Sequence, residues 1–293
     1  MASTDLERPA RLEAELSGLD HLDVVLPPAP SRVVAVWSAV WPKLAALSIA
    51  LGAWQVVVWS HWKPDYILPG PGPVLGRLWH DLVAGNLADA IATTMRRAAT
   101  GYVAAVIIGT VLGVAVAQSR VLRAAVGSLI TGFQTMPSVA WLPLAVVLFK
   151  LTEAAIFFVL LVGAVPSIAN GVIAGIDHTP PVLLRAGRVL GARGLARYRH
   201  VVLPAALPGF LAGLKQGWAF AWRSLLAGEL IVIIAHRPSL GVTLQQTRDL
   251  NDYTSMTAVM VAILIIGLAL DSLVFGRLER TVLHRRSLAD SSA

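Results

Sequence analysis

The chain carries several runs of 20 or more predominantly apolar residues, and no other feature constrains its fold as strongly. Crossing a hydrocarbon core about 30 Å thick takes about 20 helical residues, and in lipid the backbone must satisfy its own hydrogen bonds, so such runs fold as spanning helices. Six are expected: Trp37–Ser60, Ala98–Ala117, Gly127–Phe149, Ala154–Ala174, Gly209–Ile234 and Ser255–Phe275. Only 14% of residues are charged, against about a quarter in soluble domains. The expected fold class is therefore all-α, a polytopic membrane protein of six transmembrane helices.

Net charge is +7, and most of the arginines fall in short loops between apolar runs. The bias of Lys and Arg towards the cytoplasmic side accounts for them without nucleic acid as a partner. With the N-terminus inside, the inner loops hold Arg120 and Arg123, then Arg185, Arg188, Arg193, Arg197 and Arg199, then Arg277, Arg280, Arg285 and Arg286. Arg96 and Arg97 count against this orientation, but the total places both termini in the cytoplasm. Residues 1–35 read as a disordered cytoplasmic tail without a cleavable signal, 36–62 as the first helix and 63–97 as an extracytoplasmic segment. Residues 98–276 form the core, with a cytoplasmic loop at 177–206, and 277–293 form a second tail. Within 63–97, Val74, Leu75, Leu78, Trp79 and Leu82 suit an amphipathic helix lying at the surface.

There are no cysteines, so disulfides and Cys-based sites are excluded. His61, His80, His178, His200, His236 and His284 lack ligand spacing, and no metal site or catalytic residue is expected. No G-x-x-x-x-G-K-[ST] loop is present, so the chain is not expected to hydrolyse ATP alone.

In the second span Gly101, Ala105, Gly109, Gly113 and Ala117 recur every four residues. Small residues at that spacing let another helix approach closely. In the third, Pro137 and Pro143 loosen the helix, beside Gln134, Thr135, Ser138 and Trp141. Irregular backbone at membrane depth lines a cavity or is buried in protein, so this region reads as pathway or as a packing kink. The fifth span places Lys215, Trp218, Trp222 and Glu229 near one face and Gly213, Gly217, Ala221, Ser224 and Gly228 on another. Arg223 stands either near a passing anion or in a salt bridge to another span. Arg223 and Glu229, about 240° apart, are not an intrahelical pair. Asp271 reads as a structural partner for an arginine.

The stretch LLRAGRVLGARGLARYRHVVLPAALPGF, residues 183–210, interrupts this apolar chain with five arginines. Thr179 suits the cap of a helix opening on Pro180 and Pro181, with Leu183, Gly187 and Leu190 on one face, Arg185 and Arg188 on another, and Gly191 closing it. A second short helix fits Leu195–Val202. The segment resembles the EAA-type loop of ABC importer permeases: Ala186, Gly191, Leu203 and Pro204 match, while Arg185 stands for the usual Glu and Gly187 for the frequent Ala. QTMPSVAWLPLAVVLF, LPGPGPVLGRLW and AWRSLLAGEL are similar to the nitrate/sulfonate/taurine branch of that family. The resemblance implies a type I, MetI-like permease: a homodimer in the membrane lipid, with two cytoplasmic ABC ATPase subunits that bind ATP and Mg and an extracytoplasmic solute-binding protein. The chain itself is then no enzyme and holds no cofactor.

It further implies an ATPase-coupling loop including Arg185, Ala186, Gly187, Arg188, Gly191, Ala192, Arg193, Leu203 and Pro204. The expected pathway includes Gln134, Thr135, Pro137, Ser138, Trp141, Trp218, Trp222, Arg223 and Glu229. The solute expected is a small anion such as a sulfonate, taurine or nitrate. A stand-alone secondary transporter or channel is the alternative, but it predicts inverted repeats with paired broken helices, which the sequence does not show. A membrane enzyme would need a convergent catalytic cluster.

Overall fold

The computed structural model describes residues 32–279 except His236. It is helical throughout, with no strand among the described residues. Two compact units divide at residue 57. The first contains most of α1 (Arg32–Trp59), a 28-residue helix with Pro42 inside it. The tail expected at 1–35 gives way to this helix from Arg32; residues 1–31, and Arg280, Arg285 and Arg286, lie outside the described residues.

The second unit begins with α2 (Pro71–Val83). Pro at its start costs no hydrogen bond, because first-turn N–H groups are free anyway. Val74 and Leu78 are buried, while Leu75 and Trp79 are exposed. α3 (Asn86–Gln118) is 33 residues long and corrects the second span, which was expected only from Ala98. Arg96 and Arg97, which count against the expected orientation, both lie within the helix, and Arg97 is buried. Ser119 is extended and its Oγ accepts from Leu122 N (3.2 Å), capping α4 (Arg120–Thr135).

The third span is not one helix. α4 is followed by extended Met136 and Pro137, one 3-10 turn (Ser138–Trp141) and α5 (Leu142–Phe149), with a bend of 101°. Pro137 cannot donate to the preceding turn, and it pushes the residue before it out of the helical region. α6 (Glu153–Asp177) follows the expected fourth span closely despite Pro166.

α7 (Pro181–Val189) and the single turn α8 (Gly194–Arg197) form the basic segment. Thr179 does not cap α7: Pro180 holds the cap position, and the Thr179 hydroxyl donates back to Gly175 O (3.4 Å). A π-helical turn, Tyr198–Val202, leads without interruption into α9 (Leu203–Ile231). The fifth span thus starts six residues before the expected Gly209. α10 (Leu240–Asp249) and α11 (Tyr253–Leu270) complete the unit, and a π turn at Asp271–Phe275 carries the last helix to Glu279. Asp252 caps α11, accepting from Ser255 N (3.0 Å) and Ser255 Oγ (2.7 Å). These bonds, with Arg77 nearby, hold its carboxyl below the usual carboxylate range. The cap is therefore in place at neutral pH and is lost as acid protonates it.

Four helices are long and apolar enough to cross a membrane, or five with the bent pair counted as one span. α9 is not among them. At 29 residues it spans roughly 43 Å, but it carries Lys215, Arg223 and Glu229.

α6 is the central post, packed against α3 on one side and α9 on the other. The small-residue row of α3 meets α6: a Cβ on Gly101 would stand 2.7 Å from Leu160 Cδ1, and one on Gly113 2.7 Å from Val172 Cβ. Gly101, Ala105, Gly109 and Gly113 are buried, and Ala117 is half-buried. Towards α9, Gly171 faces Gly213 and Gly175 faces Gly209, backbone against backbone. Gly171→Ala is expected to destabilise the bundle by about 1–3 kcal/mol, because the added methyl meets the Gly213 backbone and no flexible side chain can yield. Thermal unfolding of the purified protein should show a lower midpoint than Gly132→Ala, where nothing lies within 4 Å. Equal midpoints would show that this contact does not hold the bundle.

Candidate functional site

The break in the third span brings polar side chains together inside the bundle. Gln134 Nε2 donates to Ser167 Oγ (3.0 Å), and Asn170 Nδ2 donates to Gln134 Oε1. Ser138 and Ser224 share a hydrogen bond of 2.6 Å, joining the 3-10 turn to α9. Gly163 abuts Ser224, so α6 carries no side chain where this bond forms. Pro137 produces the geometry: the helix stops, the chain turns, and Ser138 points at α9. Thr135 does not join this row; its hydroxyl donates to Gly132 O (2.8 Å) on its own exposed helix. Trp141 stacks on Phe133 (centroids 5.3 Å apart), and its Nε1 is buried with no partner among the described residues. Ser167 and Asn170 were missed because the fourth span reads as uniformly apolar; their proximity to Pro166 was the available signal.

One end of α9 is anchored by a buried charge. Glu229, fully buried, accepts from Arg97 Nη1 (3.0 Å), Thr94 Oγ1 (2.9 Å) and Gly241 N (3.2 Å). Thr94 Oγ1 also accepts from Leu240 N (2.9 Å). The first two N–H groups of α10, which have no partner within the helix, thus find a hydroxyl and a carboxylate, and the negative charge suits the helix N-terminus. Gly241 packs onto the Glu229 backbone so closely that no side chain fits there. Arg97 Nη2 reaches Glu153 (3.2 Å), which also receives Arg237. α3, α6, α9 and the start of α10 are tied at one point. Sequence reasoning placed Glu229 in the pathway and missed Arg97, Thr94, Glu153 and Arg237; partners 56 to 135 positions apart leave no local signal for pairing.

Trp218 and Trp222 are buried and stacked, centroids 6.2 Å apart, with Tyr102 edge-on to Trp218 at 5.2 Å. They therefore pack the bundle rather than line an opening. Arg223 is exposed. Its Nε donates to Ala219 O (3.0 Å) and its guanidinium sits 4.8 Å from the Phe220 ring. The alternative of a salt bridge from Arg223 to another span is not realised among the described residues. Asp271 faces Lys215 at 3.9 Å, a lysine and not the expected arginine.

In the basic segment Gly191 has φ +81°, and the helix end is a Schellman motif: Gly191 N donates to Arg188 O (3.1 Å) and Ala192 N to Gly187 O (2.8 Å). Gly187 is buried against Val201; a Cβ there would stand 2.8 Å from Val201 Cγ2, which explains glycine in place of alanine. Leu183 and Leu190 do not bury with Gly187; both are exposed. Leu190 is 85% exposed and Val189 87%. Arg185, Ala186, Arg188 and Arg193 are exposed, as are Leu203 and Pro204, while Ala192 is half-buried.

Long apolar helices, a broken span lined by hydroxyls and amides, and an exposed basic helical hairpin define a polytopic permease. Residues 74–283 match the family described as the binding-protein-dependent transport system inner membrane component. The chain belongs to that family, the membrane subunits of ABC importers. It is 28% identical to the taurine transport system permease protein TauC of Escherichia coli, over 77% of this chain and 82% of the relative. It is 25% identical to the nitrate import permease protein NrtB of Leptolyngbya laminosa, over 80% and 84%. Against the riboflavin transport system permease protein RibX of Chloroflexus aurantiacus it is 30% identical, over 86% and 94%. Among solved structures, a chain of the methionine ABC transporter MetNI in an inward-facing conformation superposes with a TM-score of 0.58, 24% identical over 67% of this chain and 96% of that one, and shares the fold.

Replacing Arg97 alone by Met leaves Glu229 charged and buried, which is expected to cost about 3–5 kcal/mol. Arg97→Met with Glu229→Leu removes both charges and should recover part of that loss in thermal unfolding. A double variant no more stable than Arg97→Met would show that the pair is not what anchors α9.

Proposed function

We propose that this chain works as a homodimer in the cytoplasmic membrane, with both termini inside, and moves a small anion of the sulfonate, taurine or nitrate kind. Two ABC ATPase subunits bind ATP and Mg and drive it, and a solute-binding protein delivers the solute from outside. Residues 177–206 are the contact with the ATPase. The observation that carries this reading is the continuity of the chain: the α7–α8 hairpin passes through the π turn straight into α9, with no loop to absorb movement. A push on Arg185, Arg188 or the exposed Val189 and Leu190 thus reaches Ser224, Arg223 and Glu229 along one helix. Coupling of this kind needs a rigid element that ATP binding can bias.

Gly191 tests the coupling. A β-branched residue at φ +81° is strained, and no clash confuses the outcome because the space around Gly191 is open. Gly191→Val should insert normally yet lose most solute-stimulated ATPase activity in reconstituted complexes, while Gly191→Asn, which tolerates this backbone, retains it. Wild-type turnover in Gly191→Val would remove the hairpin from the mechanism.

Arg223 tests the pathway. It makes only local contacts on α9, so Arg223→Gln should leave assembly and ATPase binding intact and reduce uptake of anionic solute about tenfold. Loss of the complex instead would assign Arg223 to an interface.

A further inference from the structure

The basic hairpin carries charge that the bundle does not answer. No Asp or Glu occurs between residues 178 and 228. The described acids at this end of the bundle are engaged: Asp177 accepts two hydrogen bonds from Arg123, at 2.6 and 2.9 Å, and Asp271 and Glu279 face Lys215. Arg185, Arg188, Arg193 and Arg199 are exposed and have no ion pair or side-chain hydrogen bond among the described residues. Gly187 turns one side of α7 to Val201 and so to the bundle. Val182, Arg185 and Val189, spaced three and four apart, form a stripe on the opposite side, with Arg188 beside it. Val182, Val189 and Leu190 are exposed. The bias of cytoplasmic loops towards Arg accounts for the number of arginines, but not for large apolar residues standing among them. Apolar side chains ringed by charge are the pattern of an interface, whose core is apolar and whose rim is polar.

We propose that the hairpin seats in an apolar cleft rimmed by carboxylates on the partner ATPase, and that this charge pairing selects which ATPase the permease accepts. The proposal rests on the reading above, that residues 177–206 meet the ATPase, and adds the chemistry of the facing surface. Val189 and Leu190 fill the floor of the cleft, while Arg185 and Arg188 reach its rim from α7 and Arg193 and Arg199 from either side of α8. A guanidinium grips a carboxylate through two parallel N–H bonds, so the fit is one of direction as well as sign. A cleft with a basic rim is rejected by the same arginines, which makes the hairpin selective by repulsion as well as attraction. Arg185 stands where the loop it resembles usually has Glu, so an ATPase shaped to a Glu there meets the wrong sign. Anionic lipid headgroups also attract arginines. An interfacial helix, however, separates its apolar face from its basic one; here Val182, Arg185 and Val189 share one stripe, which fits a charged-rimmed cleft.

The test is to titrate the ABC ATPase that supports turnover of the reconstituted complex against the full-length protein in phosphatidylcholine nanodiscs. Its affinity should fall about tenfold as NaCl rises from about 0.05 to about 0.5 M. Arg185→Gln and Arg188→Gln should each weaken binding about tenfold, and Arg188→Glu about a hundredfold. These side chains bond to nothing within the chain, so the variants should fold normally. Val189→Ser should weaken binding with the salt dependence unchanged. Among ATPase variants with single surface carboxylates changed to Arg, at least one should weaken binding to the wild type and restore it to Arg188→Glu. Affinity indifferent to salt and to every arginine substitution would overturn the acidic rim. So would arginine variants that bind the ATPase normally but lose a thermal stabilisation given by phosphatidylglycerol, which would assign the arginines to the membrane surface. ATPase association without charge dependence sinks only this proposal, whereas a wild type that associates with no ABC ATPase sinks the importer reading itself.

Discussion

The structure depends on how closely α6 can approach its two neighbours. In lipid there is no hydrophobic gain from bringing apolar helices together, so association rests on dispersion contacts and on a few polar bonds. α6 meets α9 at Gly171, Gly175, Gly209 and Gly213 with no side chain between the backbones, and meets α3 along the row from Gly101 to Gly113. The central helix fixes the others. Once α9 is held at this distance, Ser224 comes within 2.6 Å of Ser138 and the broken third span is tied to the bundle. Pro137 breaks the helix, but it is the closeness of α6 and α9 that gives the freed turn a partner.

The second fixed point is the Glu229 carboxylate. Taking a charge pair out of water costs several kcal/mol per ion unless hydrogen bonds fill the remaining positions. Here they are filled on the acidic side by a guanidinium, a hydroxyl and a helix N-terminal N–H. The arrangement also settles where α10 begins: Ser239 caps it, and Gly241 sits on the Glu229 backbone where no larger residue fits. α9 is thus clamped to α10 at one end and runs into the basic hairpin at the other, which suits a helix that transmits movement.

Much of this was legible in the sequence. Four-residue spacing of small side chains gave the packing faces of α3 and α9, and the EAA-like segment gave a hairpin closed at Gly191, whose φ is positive as a helix-ending glycine requires. Periodicity reports which residues share a face, but not which neighbour that face meets. Trp222 and Arg223 were read together as pathway residues; one is buried against Trp218 and the other exposed. The second span was begun a dozen residues late, after Arg97, because the apolar run starts at Ala98, whereas a carboxylate 132 positions away makes Arg97 an interior residue of the helix. Pro137 signalled irregularity, but a bend of 101° follows from what the freed backbone and side chains bond to, which is a tertiary fact.

The charges of α9 separate by direction. Glu229 turns inward and is neutralised within the bundle, whereas Lys215 and Arg223, eight residues and so roughly 80° apart, turn outward with Gln216 and Ala219 between them. An outward guanidinium and ammonium within a helix of membrane-spanning length would each cost about 2.5–3.5 kcal/mol against hydrocarbon. That cost vanishes if the face lines water or a second protomer. The exposed alanines at 212 and 219 keep the stripe free of bulky side chains. The same helix therefore holds the bundle with its glycines and presents cations with its opposite face. A permease needs both, because a wall that moves must remain attached to the post behind it.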